Sequence, residues 1–230
     1  MSSSSGIRGI RRKKSSLSEV KIAIIGAPGV GKSALAVRFL TKRYIGEYDH
    51  QSETRYKHEI LVDGEPVLFE ICDTCPKLET DMPLSDTIIW ADGFILVYSI
   101  TDRGSFNYIK LVKQYIIDVR QQHYDKTGTT NSSGTFAPMV LLGNKGDMVH
   151  LRQVATEEGE ILSKDFDCYF SEVAAADQVS EVAEAFLELC REVHISRRKN
   201  KTSLLNRVLG NKSGLRSYSR GKSDTVFSKD

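Results

Sequence analysis

Residues 26–33 read Gly26-Ala27-Pro28-Gly29-Val30-Gly31-Lys32-Ser33, in the pattern G-x-x-x-x-G-K-[ST]. The flanks give the string its force. Ahead stands the apolar run Val20-Lys21-Ile22-Ala23-Ile24-Ile25, and behind it the helical-looking stretch Ala34-Leu35-Ala36-Val37-Arg38-Phe39-Leu40. A buried strand therefore delivers the chain to a turn, and the turn opens a helix whose first amide N–H groups have no partner inside it. Glycines let the backbone wrap an anion closely, Lys32 reaches outer phosphates, and the Ser33 hydroxyl can ligate magnesium. Pro28 has no N–H and fixes φ near about −65°, so it removes one donor. Gly29, Val30, Gly31, Lys32, Ser33 and Ala34 keep theirs, and the cradle survives.

A second motif selects the base. The apolar run Pro138-Met139-Val140-Leu141-Leu142 ends in Gly143-Asn144-Lys145-Gly146-Asp147. A carboxylate only accepts hydrogen bonds, so Asp147 can take two hydrogens side by side from N1–H and the 2-amino group of guanine. Adenine offers neither, and would leave the acid unpaired. Alone, Asn-Lys-x-Asp after a strand is often a plain turn; following a phosphate loop, it reads as guanine specificity.

The third element, Val67-Leu68-Phe69-Glu70-Ile71-Cys72-Asp73-Thr74, is a strand ending in an acid that can hold magnesium through water. It pairs with Tyr56–Val62 across Asp63-Gly64, a hairpin dipeptide.

With these three in place, the chain resembles the Ras superfamily of small GTPases over about residues 20–195. Residues 39–49, Ser99-Ile100-Thr101-Asp102-Arg103-Gly104-Ser105-Phe106 and Arg152-Gln153-Val154 look like the branch containing the Ras-related oestrogen-regulated growth inhibitor and Ras-like proteins lacking a C-terminal prenylation box. The resemblance implies a P-loop α/β fold: a six-stranded, mostly parallel sheet with one antiparallel strand and helices on both faces. It implies GTP/GDP and Mg²⁺ as ligands, protein effectors, exchange and activating proteins as partners, and a monomer. It also implies that Tyr44 packs on the guanine edge. Where the family has Glu-Thr-Ser-Ala-Lys, this chain reads Glu172-Val173-Ala174-Ala175-Ala176. Ala175 is expected to present its N–H to the guanine carbonyl, while Ala176 replaces the lysine whose stem covers the base.

Larger departures fall where the family senses the γ-phosphate. After Asp73-Thr74 the family commonly continues Ala-Gly-Gln; here stands Cys75-Pro76-Lys77. Pro76 has no N–H to donate, and a charged Lys77, at the position of the glutamine that orients the attacking water, has no acceptor. The magnesium-binding threonine of the first switch aligns with Gln51, in Asp49-His50-Gln51-Ser52-Glu53-Thr54. Ser52 or Thr54 substitutes only if the loop shifts. GTP binding with slow hydrolysis is the expectation, Lys32 carrying most of the catalysis with Lys77 as a weak contributor. The alternative is a GTP-binding scaffold with negligible turnover.

At 230 residues and 40% hydrophobic, the chain holds one substantial core plus tails. A net charge of +2 conceals an asymmetry: residues 1–19 carry +4 and residues 196–230 carry +8, leaving −10 in residues 20–195. Two basic tails, too polar to fold alone, thus flank an acidic domain. Their charge favours anionic membrane or nucleic acid, though such tails are more often simply solvated. Leu204, Leu205, Val208 and Leu209 recur at helical spacing, consistent with a short interfacial helix. With no signal peptide, no spanning apolar stretch, no C-terminal prenylation box and Ser2 after the initiator Met, a cytoplasmic, nuclear or peripheral inner-membrane protein without lipid is expected. Cys72, Cys75, Cys168 and Cys190 fit a reduced compartment. Cys72-Asp-Thr-Cys75 is a CxxC pair, but no closely spaced histidines accompany it to complete a zinc site.

The remaining elements follow from periodicity. Gly93–Tyr98 is a central strand, and helices are expected at about residues 103–122, 157–164 and 179–193. The polar, glycine-rich residues 125–136 read as an inserted surface loop.

Overall fold

A computed structural model describes residues 17–46, 52–128 and 137–210, with 203–210 as backbone alone. The elements run β1 (Ser18–Ile25), α1 (Lys32–Thr41), β2 (Thr54–Val62), β3 (Glu65–Asp73), α2 (Ser85–Trp90), β4 (Gly93–Ser99), α3 (Arg103–Thr127), β5 (Met139–Asn144), α4 (Thr156–Phe166), β6 (Tyr169–Glu172) and α5 (Ser180–Gly210). One six-stranded sheet in the order β2-β3-β1-β4-β5-β6 forms the centre. Every pairing is parallel except β2 with β3, the arrangement expected for the fold.

The order follows from burial. Each residue of β4 is buried, as a strand covered on both faces must be. β2 instead alternates half-buried with exposed positions, which suits an edge strand with one wet face. Its hairpin with β3 closes through Asp63 (φ 51°) and Gly64 (φ 84°). Both residues are left-handed, as the primed two-residue turns require, and Val62 pairs directly with Glu65.

Helices α1 and α5 pack against each other on one face, where Phe39 stacks on Phe186 with centroids 4.1 Å apart. On the other face, α2 lies against α3. Asp102 caps α3, accepting from the Gly104 N–H at 2.8 Å, and Arg103 ties α3 to Glu158 of α4 at 2.8 Å.

Three boundaries differ from the sequence reading. α3 continues to Thr127, into the expected surface loop. Its extra turn is held by Gln121 donating to Asp125 (2.8 Å) and closed by Gly128 in the left-handed region at φ 64°; the rest of that loop lies outside the described residues. β1 begins at Ser18, inside the stretch assigned to the N-terminal tail, and Ser18 bonds His194 at 3.0 Å. Most consequentially, α5 does not stop near residue 195 but runs unbroken to Gly210. The residues expected to form an interfacial helix belong to this same helix.

A buried charge explains the extension. Asp92, 4% exposed at the start of β4, accepts from the Lys21 N–H at 3.0 Å and from Arg197 at 2.6 Å. Arg197 also donates to the Glu19 carbonyl at 2.7 Å. Charge read from sequence assigned Arg197 to a tail; its partner, more than a hundred positions away, makes it part of the domain. Removing one member of a buried pair costs about 3 kcal/mol, so Arg197→Ala should lower the unfolding free energy in urea by about that amount. A loss nearer ~0.5 kcal/mol, the worth of an exposed pair, would place the domain boundary back at residue 195.

Candidate functional site

The carboxyl ends of β1, β3 and β5 open onto one cavity of about 780 Å³, where open α/β sheets take their ligands. The loop after β1 supplies Pro28, Gly29, Gly31, Lys32, Ser33 and Ala34. The segment after β3 adds Thr74, Cys75, Pro76 and Lys77, and Lys145 follows β5. Tyr44 and Gly46 close the remaining side. Of the other residues that the sequence reading assigned to the ligand, Asp73, Asn144, Asp147, Ala174, Ala175 and Ala176 are not among those lining this cavity.

Two glycines make the loop's path. At Gly26 a Cβ would collide with the Val97 carbonyl, so the chain leaves β1 flush against β4. Gly31, at φ 96°, caps α1 in a conformation that side chains resist, and a Cβ there would strike the Asn144 amide. Through that space Asn144 Nδ2 donates to the Val30 carbonyl at 2.8 Å, while Asn144 Oδ1 accepts from the Ala175 N–H at 3.2 Å. Asn144 is 2% exposed. It acts as a strut between phosphate loop and base loop rather than as an open base contact.

Lys32 is folded onto its own loop, donating from Nζ to the Gly26 carbonyl (2.9 Å) and the Ala27 carbonyl (2.8 Å). Burial pushes its ammonium down to about 8 from the ordinary 10.5, while the nearby Asp73 carboxylate pulls the other way. Asp73, at the end of β3, is itself buried. Among the described residues no group of three His, Cys, Asp or Glu side chains is placed to hold a metal. Magnesium needs none: it is characteristically held by one or two protein oxygens, water and substrate phosphates, and the Ser33 hydroxyl with the Asp73 carboxylate is such a set. The Cys72 thiol is buried on β3 and held well above the ordinary thiol range, first by burial and then by its hydrogen bond with Glu53. A thiol kept protonated is neither metal ligand nor nucleophile, so this half of the CxxC pair serves the core.

On the base side, the turn after Asn144 puts Lys145 in the left-handed region at φ 64° and is pinned by the Gly146 N–H to the Val173 carbonyl at 3.0 Å. Asp147 is exposed on this turn. Ala174 and Ala175 are buried beside it, and Ala176 half-buried. The Ala175 N–H, expected to face a guanine carbonyl, is engaged by Asn144. Tyr44 is 48% exposed, its ring 5.8 Å from the Arg38 guanidinium.

Two residues escaped the sequence reading. Arg38, 7% exposed on α1, donates from Nε to the Ala175 carbonyl at 2.6 Å, from a second nitrogen to the Ala176 carbonyl, and to the Lys42 carbonyl at 3.3 Å. The available signal was a lone cation in the apolar helical run Ala34–Phe39, which must find acceptors. Asp81 is the other: its Oδ2 takes both the Lys77 and Leu78 N–H groups at 2.9 Å, and its carbonyl accepts from the Tyr108 hydroxyl at 2.7 Å. Of the first-switch candidates, Gln51 lies outside the described residues. Thr54 opens β2 and bonds the Ser52 carbonyl at 3.4 Å; Ser52 lines a neighbouring cavity of about 480 Å³ with Cys75, Pro76 and Lys77.

Comparison with known proteins agrees with this geometry. A model of the Ras family matches residues 21–195. The Ras-related and estrogen-regulated growth inhibitor of Bos taurus is 45% identical over 175 residues, covering 76% of this chain and 81% of that protein. Ras-like protein family member 11B of Danio rerio is 39% identical over 178 residues, covering 74% and 68% respectively. The Ras-related and estrogen-regulated growth inhibitor-like protein of Bos taurus is 35% identical over 205 residues, covering 84% and 97%.

The state of Lys32 gives a pH test. Phosphate oxygens beside the ammonium favour its charged form, so above about pH 8 a nucleotide complex would keep a proton that the free protein has lost. Titration calorimetry with GDP at pH 9, in buffers of different ionisation enthalpy, should show proton uptake and weaker binding than at pH 7, where uptake vanishes. Equal proton release at both values would contradict the assignment.

Proposed function

The chain belongs to the Ras family, and on that premise we propose that it binds GTP and GDP with magnesium, hydrolyses GTP slowly, and acts in intracellular signalling through loops that respond to the nucleotide. The observation that carries the reading is the shared cavity, lined together by the phosphate loop, the segment after β3 and Lys145 of the turn after β5. Lys32 is poised at the loop carbonyls, able to swing its ammonium onto phosphate oxygens. The Asp73 carboxylate and Ser33 hydroxyl would hold the metal, which supplies charge neutralisation across the phosphates. Asp147 selects guanine by accepting from the N1–H and 2-amino group of the base.

Slow turnover follows from what the second switch lacks. Pro76 offers no N–H to a γ-phosphate. The Lys77 ammonium has no lone pair with which to orient water, and the backbone amides of Lys77 and Leu78 are committed to Asp81. What remains is electrostatic: Lys32 and Lys77 would stabilise developing charge on the phosphates, and a metal held by Ser33 and Asp73 would add to that neutralisation.

Purified protein should release guanine nucleotide on heating, identifiable by chromatography. Single-turnover hydrolysis should be slower than about 10⁻⁴ s⁻¹, below the intrinsic rate of a small GTPase that has the water-orienting glutamine. Pro76→Gly with Lys77→Gln should raise it by about a hundredfold or more, since it restores both an N–H donor and a water-orienting acceptor and one positioned transition-state hydrogen bond is worth about that much. Zero turnover in both proteins, with nucleotide still bound, would favour a GTP-holding scaffold.

A further inference from the structure

The segment 174–178 is fixed by its own amides. The Ala174 N–H donates to the Gln178 side chain at 2.9 Å, the Ala175 N–H to Asn144 at 3.2 Å, and the Asp177 N–H to the Ala174 carbonyl at 3.0 Å. Among the described residues, the Ala176 N–H has no acceptor. Its direction is nonetheless set. A trans peptide is planar with C=O and N–H opposed, and the carbonyl of the Ala175–Ala176 peptide points at Arg38. The Ala176 N–H therefore points away from Arg38.

We propose that Arg38 is a positioning residue for purine recognition: by gripping the Ala175 and Ala176 carbonyls, it presents the Ala176 N–H to the C6 carbonyl of guanine. This inference rests on the guanine-nucleotide reading and moves the contact one residue from where sequence placed it. Arg38 suits the work because a guanidinium offers several donors in a rigid fork, where lysine offers a point charge on a flexible stem. The same group lies against the ring of Tyr44, which lines the cavity, so one side chain on α1 braces both that wall and the 175–176 backbone. With alanine at 176 there is no lysine stem to cover the base, and fixing the loop's amides from behind supplies order in its place.

The test compares Arg38→Gln and Arg38→Lys with the unaltered full chain, measuring affinity for three magnesium-loaded diphosphates: GDP, inosine diphosphate and the 2-aminopurine riboside diphosphate. The first two carry the C6 carbonyl; the third does not. Arg38→Gln should weaken GDP and inosine diphosphate by the same factor, about tenfold, the order expected for a lost hydrogen bond, and leave the carbonyl-free analogue unchanged. Arg38→Lys, which keeps the charge and preserves folding, should fall between. Equal weakening of all three would reduce Arg38 to a support of the fold and overturn the proposal, as would no weakening of any. If the unaltered protein bound none of them, the guanine-nucleotide reading itself would fall, an outcome separate from failure at Arg38.

Discussion

The architecture of the site depends on one amide reaching through a gap that only glycine leaves. Asn144 joins the Val30 carbonyl of the phosphate loop to the Ala175 N–H of the base loop, and it does so through the space at Gly31 that any side chain would fill. Both bonds are buried, where an unsatisfied amide is costly and a satisfied one defines a single geometry. The loop after β1 and the loop after β6 are therefore mechanically one unit. A shift in either loop breaks a bond at the other, which links sequence segments more than a hundred residues apart.

Charge is distributed to the same end. The folded region is acidic overall, yet Lys32, Lys77 and Lys145, from three different loops, all line the cavity. A local cationic focus inside an acidic surface concentrates attraction for a polyanion at one place. At the opposite end of the sheet, the Arg197–Asp92 pair secures the basic final helix to the strand that follows α2. The helix thereby continues the domain, through Gly210, into residues that the sequence reading had placed in a basic tail.

The second switch shows how a family's framework survives changed chemistry. Pro76 and Lys77 remove the usual donor and acceptor, while Asp81 takes the two amides that follow Pro76 and anchors to Tyr108 of α3. The segment is held by these internal contacts. This gives structural content to a segment that sequence could describe only by what it lacks.

How much was legible in the chain follows from the range of each interaction. The strand, loop and helix around residues 26–33, the Asp63-Gly64 hairpin and the fully buried β4 could be read directly, because periodicity and turn chemistry act over a few residues. The roles proposed for the phosphate loop, Asp73 and the Asn144–Asp147 turn were read the same way, each from a motif contained in its own short span. Arg38 and Arg197 could not be read so: each is an ordinary cation until folding brings its acceptors from a distant segment, and Asp81 is an ordinary acid until its loop turns the Lys77 and Leu78 amides onto it. Sequence also gave the Ala175 amide to the base, and tertiary structure gave it to Asn144. Local pattern thus determined which elements form and which chemistry they carry. Long-range pairing of buried polar groups decided which donors stay open, because a buried polar atom must find a partner, and only the folded chain determines which one is near.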